Sequence, residues 1–342
     1  VAFSPDVRKE ARDYAKQGRT IQEIVDLLNK KYHGLMTFKH PTVGNWVRDI
    51  INARSYEAKP PEYASTIQES LTVQSGHGSF TRPHPNHILF DGPIDIGVLP
   101  DTQVKPNVPL DYLACYGRFF ASKKPKVILQ GGDFADMPSL SFHDQAGSKN
   151  YEGKRYKEDI LSVHNGMKIF MQPILDEMAR TDWKPLFIMT LGNHEHRIDR
   201  TIAATPKLDG VMGLPDLEYE RWGWEVYPFL VPVVINGMAF AHYFTSGVMG
   251  RPITTAQAIL TKKHMSCFAF HQQGRDVKHG YRGDGKEITA AILGSAYEHD
   301  EDYLNHQTNL HFRGCAMVYG LEDGVVDSLV TCNLKWLKEK YS

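Results

Sequence analysis

Five short apolar runs between residues 94 and 273 each end in a turn and a side chain that can ligate a metal. Residues 94–99 lead to Asp101 and Gln103, and residues 126–130 lead through Gly131-Gly132 to Asp133. Residues 185–189 lead into Thr190-Leu191-Gly192-Asn193-His194-Glu195, residues 238–241 end at His242, and residues 265–270 end at His271-Gln272-Gln273. Apolar runs of this length, bounded by turn residues, read as buried strands. A glycine ahead of Asn193 and His194 lets the backbone turn sharply and present both side chains at a strand end. A single Asp after a strand is ordinarily a turn or a helix cap. The repetition of carboxylate, amide and imidazole at five strand ends is a coherent ligand set for first-row divalent metals.

The chain around these runs reads as one large α/β body with a small head. Its 342 residues and 42% hydrophobic content are ample for a packed core. Net charge is -1, but residues 1–60 carry +4 and the remainder -5, so a basic head precedes an acidic body and points to an anionic partner for the head. Cys115, Cys267, Cys315 and Cys332 are scattered without a Cys-x-x-Cys pair, as in a reduced cytosolic protein. The first residues do not read as a signal peptide. The longest apolar stretch, residues 227–244, is broken by Pro228, Pro232, Asn236-Gly237 and His242 and reads as two strands and a turn rather than a membrane span. The expected location is therefore the cytoplasm, with no membrane partner.

Three segments in residues 1–55 read as helices with one apolar seam, and residues 56–90 as a linker and hairpin. Ser4-Pro5 suits a helix start, and Thr20-Ile21-Gln22-Glu23 fits a capping box ahead of Ile24, Val25 and Leu28. A third helix, 41–52, would carry Val43, Trp46, Val47 and Ile50. Such a trio has the shape of a helix-turn-helix domain. If it reads DNA through its last helix, Lys39, Thr42, Asn45 and Arg48 face the groove, Asn suiting adenine and Arg suiting guanine or phosphate. In the body, residues 91–342, helices are expected at 111–121, 154–180 and 252–263, the second with Pro173 inside it. Strands are expected at 288–293, 315–320 and 325–331, with a turn at Asp323-Gly324.

The ordered set Asp101, Asp133, Asn193-His194, His242, His271 resembles the calcineurin-like metallophosphoesterase superfamily. The resemblance implies a two-sheet sandwich flanked by helices, with two divalent metals at one edge. Asp133 would bridge them, Asp101 and Gln103 would belong to the first, and Asn193, His242 and His271 to the second. His194 would protonate the leaving oxygen or stabilise the transition-state charge, held by Asp136, since a carboxylate partner raises an imidazole pKa. For Asp136 a plain helix cap is the competing reading.

Two motifs depart from that pattern: Gln103 and Gln273 stand where the superfamily usually has histidines, and both would fall on the first metal. A neutral amide oxygen is a weaker ligand than imidazole, so the first site is expected to be weak. Manganese is the first expectation for the metals, with magnesium, iron, zinc or nickel as alternatives. Residues 132–141, 151–159 and 242–253 are similar to a branch carried by tailed bacteriophages and prophages, which implies host cytoplasm and suggests Arg155, Tyr156 and Arg251 near the substrate, Arg251 as a phosphate contact. The expected activity is metal-dependent hydrolysis of a phosphodiester in DNA. Alternatives are a phosphatase or nucleotide phosphodiesterase, or a DNA-binding regulator whose first metal site is degenerate. A homo-oligomer is left open.

Overall fold

The computed structural model describes residues 5–17, 19–33, 37–39, 42–44, 46–47, 80–141, 153–247, 249–299 and 311–342. The chain divides into two compact units, Val1–Ser65 and Thr66–Ser342.

In the first unit, α1 spans Pro5–Lys16 and α2 spans Ile21–Lys31. Thr20 caps α2: its hydroxyl accepts from the Glu23 N–H while the Glu23 carboxylate accepts from the Thr20 N–H, the reciprocal box that the sequence predicts. Residues 42–44 and 46–47 are also helical. Val7, Ala11 and Ala15 of α1, Ile24, Val25 and Leu28 of α2, and Phe38, Val43 and Val47 close one small core. Asn29 holds the turn at its edge, since its amide donates to the Phe38 carbonyl and its oxygen accepts from the Phe38 N–H. Of the four residues expected to face DNA, Lys39 is exposed and Thr42 half-buried; Asn45 and Arg48 lie outside the described residues, as do Ile50 and most of the expected linker.

The second unit is α/β, with two mixed sheets flanked by helices. One sheet has six strands in the order β15-β14-β3-β4-β5-β6, where β3 is Ile94–Leu99, β4 Val127–Gln130, β5 Leu186–Thr190, β6 Trp224–Tyr227, β14 Gly314–Leu321 and β15 Ser328–Asn333. Strands β3 to β6 are parallel; β14 and β15 are antiparallel additions. The other has seven in the order β1-β2-β7-β8-β11-β13-β12, where β1 is Phe80–His84, β2 His87–Phe90, β7 Val233–Ile235, β8 Met238–Ala241, β11 Cys267–Ala269, β12 Arg275–Tyr281 and β13 Glu287–Leu293. A separate two-stranded hairpin pairs β9, Thr245–Ser246, with β10, Arg251–Pro252.

The period-two alternation of the strands sorts the core into layers. Val127 and Leu129 of β4 point between the sheets, where they meet Ile96, Val98, Ile188, Phe240 and Phe268; Ile128 points the other way. Phe268 stacks on Phe240 at 5.9 Å and on Phe270 at 5.3 Å between ring centroids, and offset aromatic pairs add about 0.5–1.5 kcal/mol beyond area burial. The outer face of the six-stranded sheet is covered by α3, Tyr112–Lys123, α4, Tyr156–Arg180, and α7, Leu334–Tyr341. The outer face of the other sheet is covered by α6, Ala256–Lys263. A further short helix, α5, spans His196–Ala204.

Most body expectations hold, including Pro173 inside α4 and the Asn236-Gly237 turn, where both residues have positive φ and join β7 to β8 antiparallel. Several details differ. The helix expected from residue 252 starts at Ala256, because Thr255 caps it by accepting from the Ala258 N–H and residues 251–252 pair as a strand instead. Strand β12 is an addition: it is an edge strand with no core alternation to announce it, and its residues are largely polar or half-exposed. The C-terminal α7 is another, short and capped by Asn333. Among the described residues no helix is long and apolar enough to cross a membrane.

Candidate metal centre

The five strand ends converge. Asp101, Asp133 and Asn193 follow β3, β4 and β5, which are neighbours in one sheet; His242 and His271 follow β8 and β11, which are neighbours in the other. Ligand atoms of Asp133, His242 and His271 lie within 4.8 Å of one another. Nε2 of His242 is 2.9 Å from Oδ1 of Asn193 and 3.2 Å from Oδ2 of Asp133.

The backbone brings these atoms together by local means. Asp133 and His271 have φ of +50° and +67°, in the left-handed region that costs a side-chain-bearing residue about 1–2 kcal/mol. Gly132 and Gly192 permit the close approach of the β4 and β5 ends. A Cβ on Gly192 would sit 2.0 Å from Oδ1 of Asp133, and one on Gly132 would sit 2.6 Å from the Gly192 nitrogen at a φ of +91°.

Glu195 ties the two loops. One of its oxygens accepts from the N–H groups of Asp133 and Gly192, each at 2.9 Å; the other accepts from the Ala135 N–H at 2.9 Å and the Tyr219 hydroxyl at 3.2 Å. Sequence reasoning gives Glu195 no role, although it directly follows His194 and an acid there is well placed to accept loop N–H groups. Gln130 works similarly within its own turn, accepting from the Gly132 N–H and donating to the Gly132 carbonyl.

Tautomers follow from the hydrogen bonds. His242 Nδ1 lies 2.9 Å from the Gly131 carbonyl oxygen, so it carries the proton and donates. Its Nε2 then faces two oxygens with a lone pair, an arrangement that needs a proton or a cation between the three atoms. Burial opposes a charged ring, but the Asp133 and Asp101 carboxylates overcome it and push the His242 pKa up to about 9. A divalent cation at the same place satisfies the same three atoms, and carboxylate, amide oxygen and two imidazoles suit a first-row metal. His271 is the opposite case: burial and the His242 charge bring its pKa down to about 4, leaving a neutral ring. For Asp133, burial opposes ionisation, yet the His194 and His242 charges hold the carboxyl well below the usual range.

His194 stands beside this cluster. Its backbone N–H donates to Oδ1 of Asp133, and its Nδ1–H donates to Oδ1 of Asp136 at 2.8 Å. Nε2 is 3.8 Å from Oδ2 of Asp133 and 3.2 Å from the Arg197 guanidinium. Burial disfavours the cation, but Asp133 and the bond to Asp136 outweigh it, and the His194 pKa lies above its ordinary value. Asp136 is thus an acceptor for His194 and for Arg197, with Lys105 3.3 Å away. Arg197 and Lys105 have no role in the sequence reading; Arg197 sits three residues after His194, and its N–H donates to the His194 carbonyl across the turn that opens α5.

The remaining site residues sit at or beyond the edge. Asp101 is fully buried, and burial, with Asp133 close by, raises its pKa well above the usual value. Its Oδ1 is 4.0 Å from His242 Nδ1. Gln273 directs its amide N–H at Oδ2 of Asp101 at 3.2 Å, while its oxygen accepts from the Tyr297 hydroxyl at 3.2 Å. Gln103 is buried at a φ of +42°, its N–H donating to the Asp133 carbonyl at 2.9 Å. Arg251 is exposed on the hairpin after His242 and makes no ion pair among the described residues. Arg155 is exposed, and Tyr156 anchors Asp216 through its hydroxyl at 2.7 Å. The half-buried rings of Phe229 and Tyr243 flank the cluster, Tyr243 lying 5.0 Å from His271 between centroids.

No family model matches the sequence, and no curated protein matches it.

Proposed function

We propose that this chain is a metal-dependent phosphoesterase that hydrolyses a phosphodiester, with DNA as the substrate. The observation that carries the reading is the meeting of Asp133, Asn193, His242 and His271 at the ends of strands from two sheets, beside a His194–Asp136 pair. This is the ligand order of the calcineurin-like metallophosphoesterases, which the sequence resembles.

Asp133, Asn193, His242 and His271 would hold the metal. When bound, a divalent cation supplies Lewis acidity toward phosphoryl oxygens and an acidified water. The protein's own part is positioning and proton transfer. The Gly131 carbonyl holds His242 with Nε2 toward the ligand cluster. Asp136 holds His194 by Nδ1, leaving Nε2 as the atom that gives a proton to the departing oxygen. Glu195 keeps the Asp133 and Asn193 loops in register. Arg197, whose guanidinium donates to Asp136, adds positive charge beside His194.

The head is read as a helix-turn-helix that binds DNA. Its net charge of +4 over residues 1–60 and its three helical segments on one apolar seam support this. Lys39, Thr42, Asn45 and Arg48 would face the nucleic acid. Labelled single- and double-stranded DNA incubated with the purified protein and Mn²⁺ tests the substrate. Cleavage, together with faster hydrolysis of bis-p-nitrophenyl phosphate than of p-nitrophenyl phosphate, is expected. Monoester preference with intact DNA would make it a phosphatase instead.

A further inference from the structure

We propose that the centre holds one divalent cation firmly, and that the side-chain amide of Gln273 stands in for a second cation beside Asp101. The inference rests on reading Asp133, Asn193, His242 and His271 as a metal centre.

A second cation would need Asp101 and a set of lone pairs around it. The surroundings of Asp101 offer hydrogens instead. Its Oδ1 takes the His271 backbone N–H at 3.3 Å, and its Oδ2 takes the Gln273 amide N–H at 3.2 Å. The nearest ring nitrogen, His242 Nδ1, is 4.0 Å away and already donates to Gly131. Gln103, the other candidate, has no side-chain hydrogen bond to any described residue and offers a neutral amide where an imidazole would bind more strongly.

The sense of the Gln273 amide is set by its neighbours. Turned the other way, its oxygen would face the His271 carbonyl oxygen, acceptor against acceptor. As it stands, the N–H faces Asp101 and the oxygen faces the hydroxyl of Tyr297, a fully buried ring whose hydroxyl is also 3.1 Å from His311 Nδ1. Two N–H groups already occupy the Asp101 oxygens, without a metal. A cation entering there would have to displace the Gln273 hydrogen and reorient the amide against Tyr297, which weakens its binding.

Metal content after equilibrium dialysis against buffered Mn²⁺, with electron paramagnetic resonance of the same samples, tests this. The unaltered protein should retain one equivalent and show the spectrum of an isolated Mn²⁺. Gln273→Glu puts an anionic oxygen opposite Asp101, and Gln273→His puts a ring nitrogen there. Either should raise retention toward two equivalents, with the added lines of a spin-coupled pair. Far-UV circular dichroism and melting checks that the variants are folded. Two equivalents in the unaltered protein would overturn the inference and leave the metal-centre reading standing. No retained metal would overturn both. One equivalent in the unaltered protein and in both folded variants would remove Gln273 from the account.

Discussion

At position 195 a fully buried glutamate accepts three backbone N–H groups and a tyrosine hydroxyl, and so joins the loops that carry Asp133 and Asn193. Glu195→Ala would leave those donors buried without partners, at about 1–3 kcal/mol each. A loss of about 3 kcal/mol or more in denaturant unfolding is expected; an unchanged midpoint would mean that the loops are held by other contacts. His194→Ala should behave differently. It should keep both stability and metal, but lose about 10²–10⁴-fold in rate, as removal of an acid–base group does. The loss should shrink for diesters with good leaving groups, which need no protonation, and loss of metal would instead make His194 a ligand. The ligand candidates are legible in sequence because each stands within a few residues of the end of an apolar run. Arg197, Lys105, Gln130 and Tyr297 are not, because their roles depend on which loops meet in space. The sense of the Gln273 amide is equally hidden: its residue type suggests a ligand oxygen, and only the neighbouring Asp101 and His271 carbonyl decide which end faces inward.

Among elements, the strands that end in the centre are the most legible. β4, β5, β8 and β11 are buried throughout and β3 at all but Asp95, so each reads as a largely apolar run between turns. β12 is not, since an edge strand with exposed faces carries little hydrophobic signal. The junction between β4 and β5 is a close fit. Gly192→Ala would force a methyl toward Oδ1 of Asp133 at 2.0 Å, so the loop ends must separate. Metal retention should fall sharply while far-UV circular dichroism stays close to that of the unaltered protein. Retention equal to the unaltered protein would show that the loops can part without disturbing the cluster.

For the whole molecule, the two compact units divide the proposed labour. No candidate ligand lies in residues 1–55. Removing them should leave hydrolysis of a small diester within about twofold, yet weaken DNA binding and flatten its salt dependence, because Lys and Arg contacts to phosphates release counterions. Equal affinity and salt slope with and without this segment would refute the DNA-binding role. The central claim concerns the other unit: that strand ends from two sheets build a metal-dependent hydrolytic centre around Asp133. Its most direct test is bis-p-nitrophenyl phosphate hydrolysis by protein stripped with a chelator and then titrated with Mn²⁺, beside a folded Asp133→Ala variant treated the same way. The stripped protein should be inactive, Mn²⁺ should restore turnover, and Asp133→Ala should stay inactive at every Mn²⁺ concentration. Turnover that survives chelation, or ordinary turnover in Asp133→Ala, would contradict the account.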